Sequence, residues 1–224
     1  MQINIRFPDP RETNDDGLVA VGGELSLDFL ISAYAQGVFP WFNENDPILW
    51  WSPNPRMVLF PDDFKASKSL RQLVNSNRYT LKIDNDFTTV MGHCRNVKRK
   101  DQEGTWITDE MVAAYTKLHE FGIAHSFETY AQHKLVGGLY GVSLGRAFFG
   151  ESMFFTQPNA SKFAFFNLVQ WCKHHDFHFI DAQQSTRHMK SLGAKDISRD
   201  DFLDELNEAL KHPTQQGKWS ILKD

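Results

Sequence analysis

Glu151, Asp181 and Gln183 are polar residues set inside, or at the ends of, apolar runs. Glu151 sits in Gly150-Glu151-Ser152, between Phe148-Phe149 and Met153-Phe154-Phe155. An unpaired carboxylate buried in such a run is costly, and local inconsistencies of this kind concentrate where a protein works. Asp181 and Gln183 follow the short run Phe177-His178-Phe179-Ile180. In α/β layouts, ligands sit outside the carboxyl ends of strands. Two carboxylates and a carboxamide suit hydrogen-bonding and proton-transfer chemistry.

The elements that must position these residues are a hairpin, a helix and a strand. Residues 135–142 and 146–156 are apolar, aromatic runs joined by a turn at Ser143, Leu144 and Gly145, which predicts a β-hairpin. Asn159 or Ser161 caps a helix over 162–173 carrying Phe163, Phe166, Leu168, Val169 and Trp171. Residues 177–181 form the strand that ends at Asp181. His174, His175 and His178 near the helix end read as dipole partners or surface residues, not metal ligands, because no carboxylate spacing accompanies them.

Upstream, residues 17–23 are expected as a strand, and Ser26 caps a helix with Leu27, Leu30, Ile31 and Tyr34 on one face. Trp41 falls on an irregular, proline-flanked segment and is a candidate ligand platform; Trp50 and Trp51 read as packing between two units. A strand at 57–60 precedes Pro61-Asp62-Asp63, taken as the division between a small N-terminal α/β domain (1–62) and a larger one (63–224). Helices are expected at 64–75, 87–95, 111–121 (capped by Thr108, with Tyr115 and Leu118 inward) and 200–210, strands at 79–83 and 125–130, and a polar tail after them. Trp106 is either a hydrophobic staple before the cap or the wall of a cleft.

Composition bounds the function. The 224 residues are 41% apolar and 23% charged, which fits a globular protein with a large core. A net charge of −4 excludes a nucleic-acid field over the whole surface, so RNA contact requires a local patch. Arg95, Lys98, Arg99 and Lys100 alone read as a solvated loop. With Lys65, Lys68, Arg71 and Arg78 they form a candidate phosphate-tracking patch. Cys94 and Cys172 show no disulfide or metal spacing, and no signal core or membrane-length apolar run is present, so a cytoplasmic protein is expected.

The strand–hairpin–helix–strand order resembles the second half of the N-acetyltransferase-like fold, whose enzymes move acyl groups onto amines. The turn 157–162 (QPNASK) lacks glycine, and Pro158 lacks a donor, which argues against a coenzyme A pyrophosphate there. Nine short motifs then resemble the leucyl/phenylalanyl-tRNA–protein transferase family over nearly the full chain. They are GLVAVGGEL (17–25), GVFPWF (37–42), PILWWSPNPR (47–56), GTWIT (104–108), LVGGLYG (135–141), FGESMF (149–154), NASK (159–162), IDAQ (180–183) and SLGA (191–194).

That resemblance implies an α+β protein whose C-terminal domain has a mixed sheet flanked by helices. It implies transfer of Leu or Phe, less readily Met, from aminoacyl-tRNA to a protein's N-terminal Arg or Lys, marking the product for N-degron degradation. No cofactor, metal or membrane is implied. Asp181 and Gln183 are implied at the catalytic step, with Asp181 orienting Gln183 and balancing charge on the attacking amine. Glu151 is implied beside the aminoacyl group. Trp41 and Trp106 are implied to sandwich the terminal adenosine of the tRNA 3′ end, with Tyr115 on the same wall, and Leu139, Phe148 and Phe163 are candidates for the apolar slot. Ala182 stands where a cysteine is common, and residues 184–188 depart from the family pattern. The alternatives are an acyl-coenzyme A N-acetyltransferase and a non-catalytic module that binds aminoacyl-tRNA or protein N-termini.

Overall fold

Residues 5–97 and 106–222 are described by a computed structural model. In chain order they form β1 (Leu18–Val21), α1 (Leu27–Ala35), β2 (Phe39–Pro40), β3 (Leu49–Trp51), β4 (Arg56–Leu59), α2 (Lys68–Val74), β5 (Thr80–Ile83), α3 (Phe87–Arg95) and α4 (Asp109–Glu120). They continue with β6 (Ala124–Ala131), β7 (Lys134–Leu144), β8 (Ala147–Phe155), α5 (Ala160–His174), β9 (Phe179–Gln183), α6 (Arg187–Ser191), β10 (Lys195–Ile197) and α7 (Arg199–Leu210).

A small antiparallel sheet has the order β1-β3-β2, and a seven-stranded mixed sheet has the order β10-β4-β9-β8-β7-β6-β5. Within the latter only β8 and β9 run parallel, as a strand–helix–strand connection through α5 requires. β4 lies before residue 62 yet is an interior strand of the larger sheet, between β10 and β9.

Alternation along the strands divides the apolar side chains between two faces. Tyr140, Val142, Phe149 and Phe179 join Leu30, Met91, Met111, Leu118, Phe202 and Leu206, so α1, α3, α4 and α7 cover one face. Leu139, Phe148 and Ile180 join Phe165, Leu168, Val169 and Trp171 of α5 on the other. Side-chain oxygens of Ser26, Thr108 and Ser198 accept from the amides of Phe29, Met111 and Asp201, as N-caps should. Gly37 follows α1 at φ 75°, and a Cβ there would lie 2.5 Å from Leu203, so the turn that docks α1 on α7 needs glycine.

Four expectations are corrected. The helix expected over 64–75 spans only Lys68–Val74, because Ser67 caps it and Phe64 packs its ring 6.0 Å from Phe165. Asn159 precedes α5 in the left-handed region (φ 64°) without a side-chain cap bond. The strand expected at 177–181 is shifted to Phe179–Gln183, and β10 was not foreseen. The tail is not simply polar: Trp219 is buried, stacked 3.6 Å from both His125 and Trp171, with its amide donating to Asp84 Oδ2.

Candidate active site

Two bulges open the middle of the large sheet. Between β7 and β8 the register passes from Gly141↔Gly150 to Tyr140↔Ser152, leaving Glu151 as the extra residue. Between β4 and β9 it passes from Val58↔Asp181 to Met57↔Gln183, leaving Ala182 as the extra residue. Gln183 takes φ 61°, unusual for a residue with a side chain. Parallel pairing of β8 with β9 stops at Phe149↔Asp181, and a cavity opens between the strands beyond that point.

Glu151 and Gln183 meet there: the Gln183 Nε2 donates to Glu151 Oε1 at 2.8 Å. Tyr34 of α1 donates to the same oxygen at 2.7 Å, Tyr115 of α4 lies 3.4 Å from Oε2, and the two phenol groups hydrogen-bond each other. Behind Gln183, Asp181 Oδ1 accepts the Gln183 amide at 2.8 Å. Both Asp181 oxygens also accept from Arg56, at 2.9 Å from Nε and 2.6 Å from Nη2, with both side chains buried. The guanidinium lies 4.7 Å and 4.4 Å from the ring centroids of Phe39 and Phe202. Asp181 thus holds the Gln183 backbone amide, and its charge is matched by Arg56.

Burial raises the Glu151 carboxyl to about 7, opposed by the Tyr34 hydrogen bond; Asp181 adds to the rise, and Gln183 and Arg56 oppose it. Burial, then the Glu151 charge, holds both phenols well above the usual tyrosine range, so they stay donors. Tyr34→Phe is accordingly expected to move the Glu151 midpoint upward by about one pH unit, read by carboxyl NMR titration; an unmoved midpoint would deny Tyr34 its part.

Two cavities meet at Glu151. The first, about 320 Å³, is an apolar slot lined by Leu139, Met153, Phe165, Leu168, Ile180 and Met189. The second, also about 320 Å³, is lined by Trp41, Trp106, Gln183 and Gln184. Gly150, Glu151, Ala182 and Thr186 line both. Trp41 is 37% exposed, whereas Trp106 is buried in the wall.

Three expected site residues lie elsewhere. Tyr115 is fully buried behind Glu151, not on the indole wall. Phe148 is paired opposite Ile180 where the strands are still closed, and sits under Trp219. Phe163 packs on Tyr79; two residues along a helix turn about 200°, so Phe165 faces the slot and Phe163 cannot. The slot residues Met153, Phe165, Leu168, Ile180 and Met189 had only their apolar character to mark them.

Lys65, Lys68, Arg71 and Arg78 are exposed but line neither cavity, and Arg95 is paired with Asp109. Lys98, Arg99 and Lys100 lie outside the described residues. Arg56 and Tyr34 were missed as site residues. Among the described residues no group of His, Cys, Asp and Glu is arranged to hold a metal, and no helix is long and apolar enough to cross a membrane.

The family model for leucyl/phenylalanyl-tRNA protein transferase matches residues 58–207, and that for its N-terminal domain matches 23–54. The chain belongs to this family. Relatives bearing the family's name include those of Maridesulfovibrio salexigens (51% identical over 218 residues, 97% of this chain and 91% of the relative) and Desulfatibacillum aliphaticivorans (51% over 217 residues, 97% and 93%). That of Legionella pneumophila strain Corby is 49% identical over 218 residues, 97% of each chain. Family membership makes the chain an aminoacyltransferase. Solved structures overlap it loosely: L-PGS from Bacillus licheniformis at a TM-score of 0.40 (13% identity, 72% of this chain and 52% of that one), and an aminoglycoside acetyltransferase from a soil metagenome at 0.37 (15%, 66% and 97%).

Proposed function

We propose that the chain takes Leu or Phe, less readily Met, from aminoacyl-tRNA and joins it to the N-terminal Arg or Lys of an acceptor protein, marking that protein for N-degron degradation. One observation carries this reading: Glu151 and Gln183 are hydrogen-bonded to each other where an apolar slot and an indole-lined cavity meet. The slot suits an unbranched or planar apolar side chain, and Trp41 and Trp106 suit stacking on an adenine. The aminoacyl ester then lies across Glu151.

The ester is already activated, so positioning and proton removal are the main tasks. The acceptor α-amine attacks the ester carbonyl carbon, a C–N bond forms, and the C–O bond to the terminal ribose breaks. The amine proton leaves with the ribose oxygen. Because Gln183 donates its Nε2 to Glu151, its Oε1 is turned to accept an N–H of the attacking amine. Arg56 and Asp181 hold Gln183 for this task. Glu151 holds the donor's own α-amine. Using charged tRNA, the chain would work in the cytoplasm, with the N-terminal unit supplying Tyr34, Trp41 and Arg56 to the site.

Radiolabelled Leu on charged tRNA should pass to a protein beginning with Arg and not to one beginning with Ala, and Gln183→Ala should abolish the transfer. Acetylation of that protein from acetyl-coenzyme A, without leucyl transfer, would overturn the reading. Trp41→Ala should weaken donor binding by about 1–3 kcal/mol with little change in the chemical step, seen as KM rising while kcat holds.

A further inference from the structure

A third cavity, about 810 Å³, adjoins the slot and shares Met153 and His188 with it. Its walls come from the end of β8, the last turn of α3 and the N-terminus of α5. α5 runs fifteen residues, and Asn159 at its cap position makes no side-chain cap bond. Among the described residues, no acceptor takes the amides of Ser161 and Lys162. Amides left open at a helix N-terminus favour an anion.

The side chains point to the same ligand independently. Ser161 is 5% exposed and lines the cavity, yet its hydroxyl has no hydrogen-bond partner among the described residues. A hydroxyl that lines a cavity without a protein partner is free to donate to a ligand there. Lys162 lines the same wall without an ion pair among the described residues, and none of the lining residues is Asp or Glu. Burial, then the nearby Lys162 charge, lowers His188, which fits a positive potential left unneutralised. At the cavity's edge Phe155 is 65% exposed, offering a ring face to a base.

We infer that Ser161, Lys162 and the α5 N-terminus bind a phosphodiester of the donor RNA just upstream of its terminal adenosine. This rests on the transfer reading above. A single-stranded 3′ end with its adenosine in the indole cavity would reach this cavity past the slot, which shares lining residues with both. The acceptor is the poorer occupant, because its N-terminal Arg or Lys would meet Lys162 with no lining carboxylate to offset the repulsion.

The test compares two leucyl donors, full-length charged tRNA and leucyl-adenosine, which has no phosphate, with wild type, Lys162→Ala and Ser161→Ala. Lys162→Ala should raise KM for the tRNA about tenfold and leave KM for leucyl-adenosine unchanged. The slope of log KM for tRNA against log salt should fall by about 0.7. Ser161→Ala should act in the same direction and less strongly. Binding of uncharged tRNA, which needs no turnover, should weaken likewise in Lys162→Ala, so the site is read even if wild type proves inactive in transfer. Equal losses with both donors, or unchanged tRNA binding and salt slope, would overturn the site while leaving the transfer reading intact.

Discussion

Arg56→Met is expected to destabilise the chain by about 3–5 kcal/mol and to lower transfer by about a hundredfold or more. The stability loss follows from the carboxylate it strands: Asp181 is buried, and its pairing with Arg56 is bidentate. Removing one partner leaves the other charged and dry, which costs far more than an intact pair contributes. The activity loss follows from Gln183, whose amide is held by Asp181 Oδ1. A shift of an ångström there misaims the carboxamide. The double variant Arg56→Met/Asp181→Leu separates the effects, recovering most of the stability and none of the activity. Gln183→Ala should lose transfer with stability within about 1 kcal/mol of wild type. Denaturant unfolding beside transfer kinetics reads all three. A stable Arg56→Met with full kcat would show the pair to be incidental.

Glu151→Gln should flatten the pH dependence of both stability and donor binding. The Glu151 carboxyl is raised from 4.5 to about 7 in the folded chain. The folded state thus binds its proton more tightly than the unfolded state does. That contribution to stability is fully present below about 4.5 and is lost as pH rises through about 7, on the order of 3 kcal/mol in all. Glu151→Gln keeps the hydrogen-bonding shape without the titration, so its stability should hardly change across that window. Activity should run the other way. An ionised Glu151 holds the donor amine, so KM for charged tRNA should fall as pH rises through about 7 in the wild type and stay flat in the variant. Wild-type and variant profiles that superpose would remove Glu151 from donor binding.

Much of this site was legible because its cues are short-range. Glu151 stood out as a carboxylate in an aromatic run, and the structure accounts for it with a bulge that lifts it from the pleat. Ser26, Thr108 and the residues after them announced α1 and α4, since caps and helical periodicity depend on neighbours three or four positions away. Trp41, Trp106 and Leu139 were named and do line the cavities. Phe148 and Phe163 looked equally suitable, but composition carries no information about where two strands part or which arc of a helix faces the gap.

What the sequence by itself determined was the order of the longer helices and the central hairpin, the family and the polar set Glu151, Asp181 and Gln183, while β2, β3, α6 and β10 escaped it. Tertiary structure decided what each of these touches. Arg56 and Asp181 are 125 positions apart, and they meet because β4 inserts between β10 and β9. Tyr34 and Glu151 are 117 positions apart, and they meet because α1 docks against α4 over the bulge. The environment of the Glu151 carboxyl is set by those partners and by burial. The physical reason is one of range. Dihedral preference, capping and periodicity act within a few residues, whereas charge pairing and desolvation act through space, and only the folded chain sets those distances.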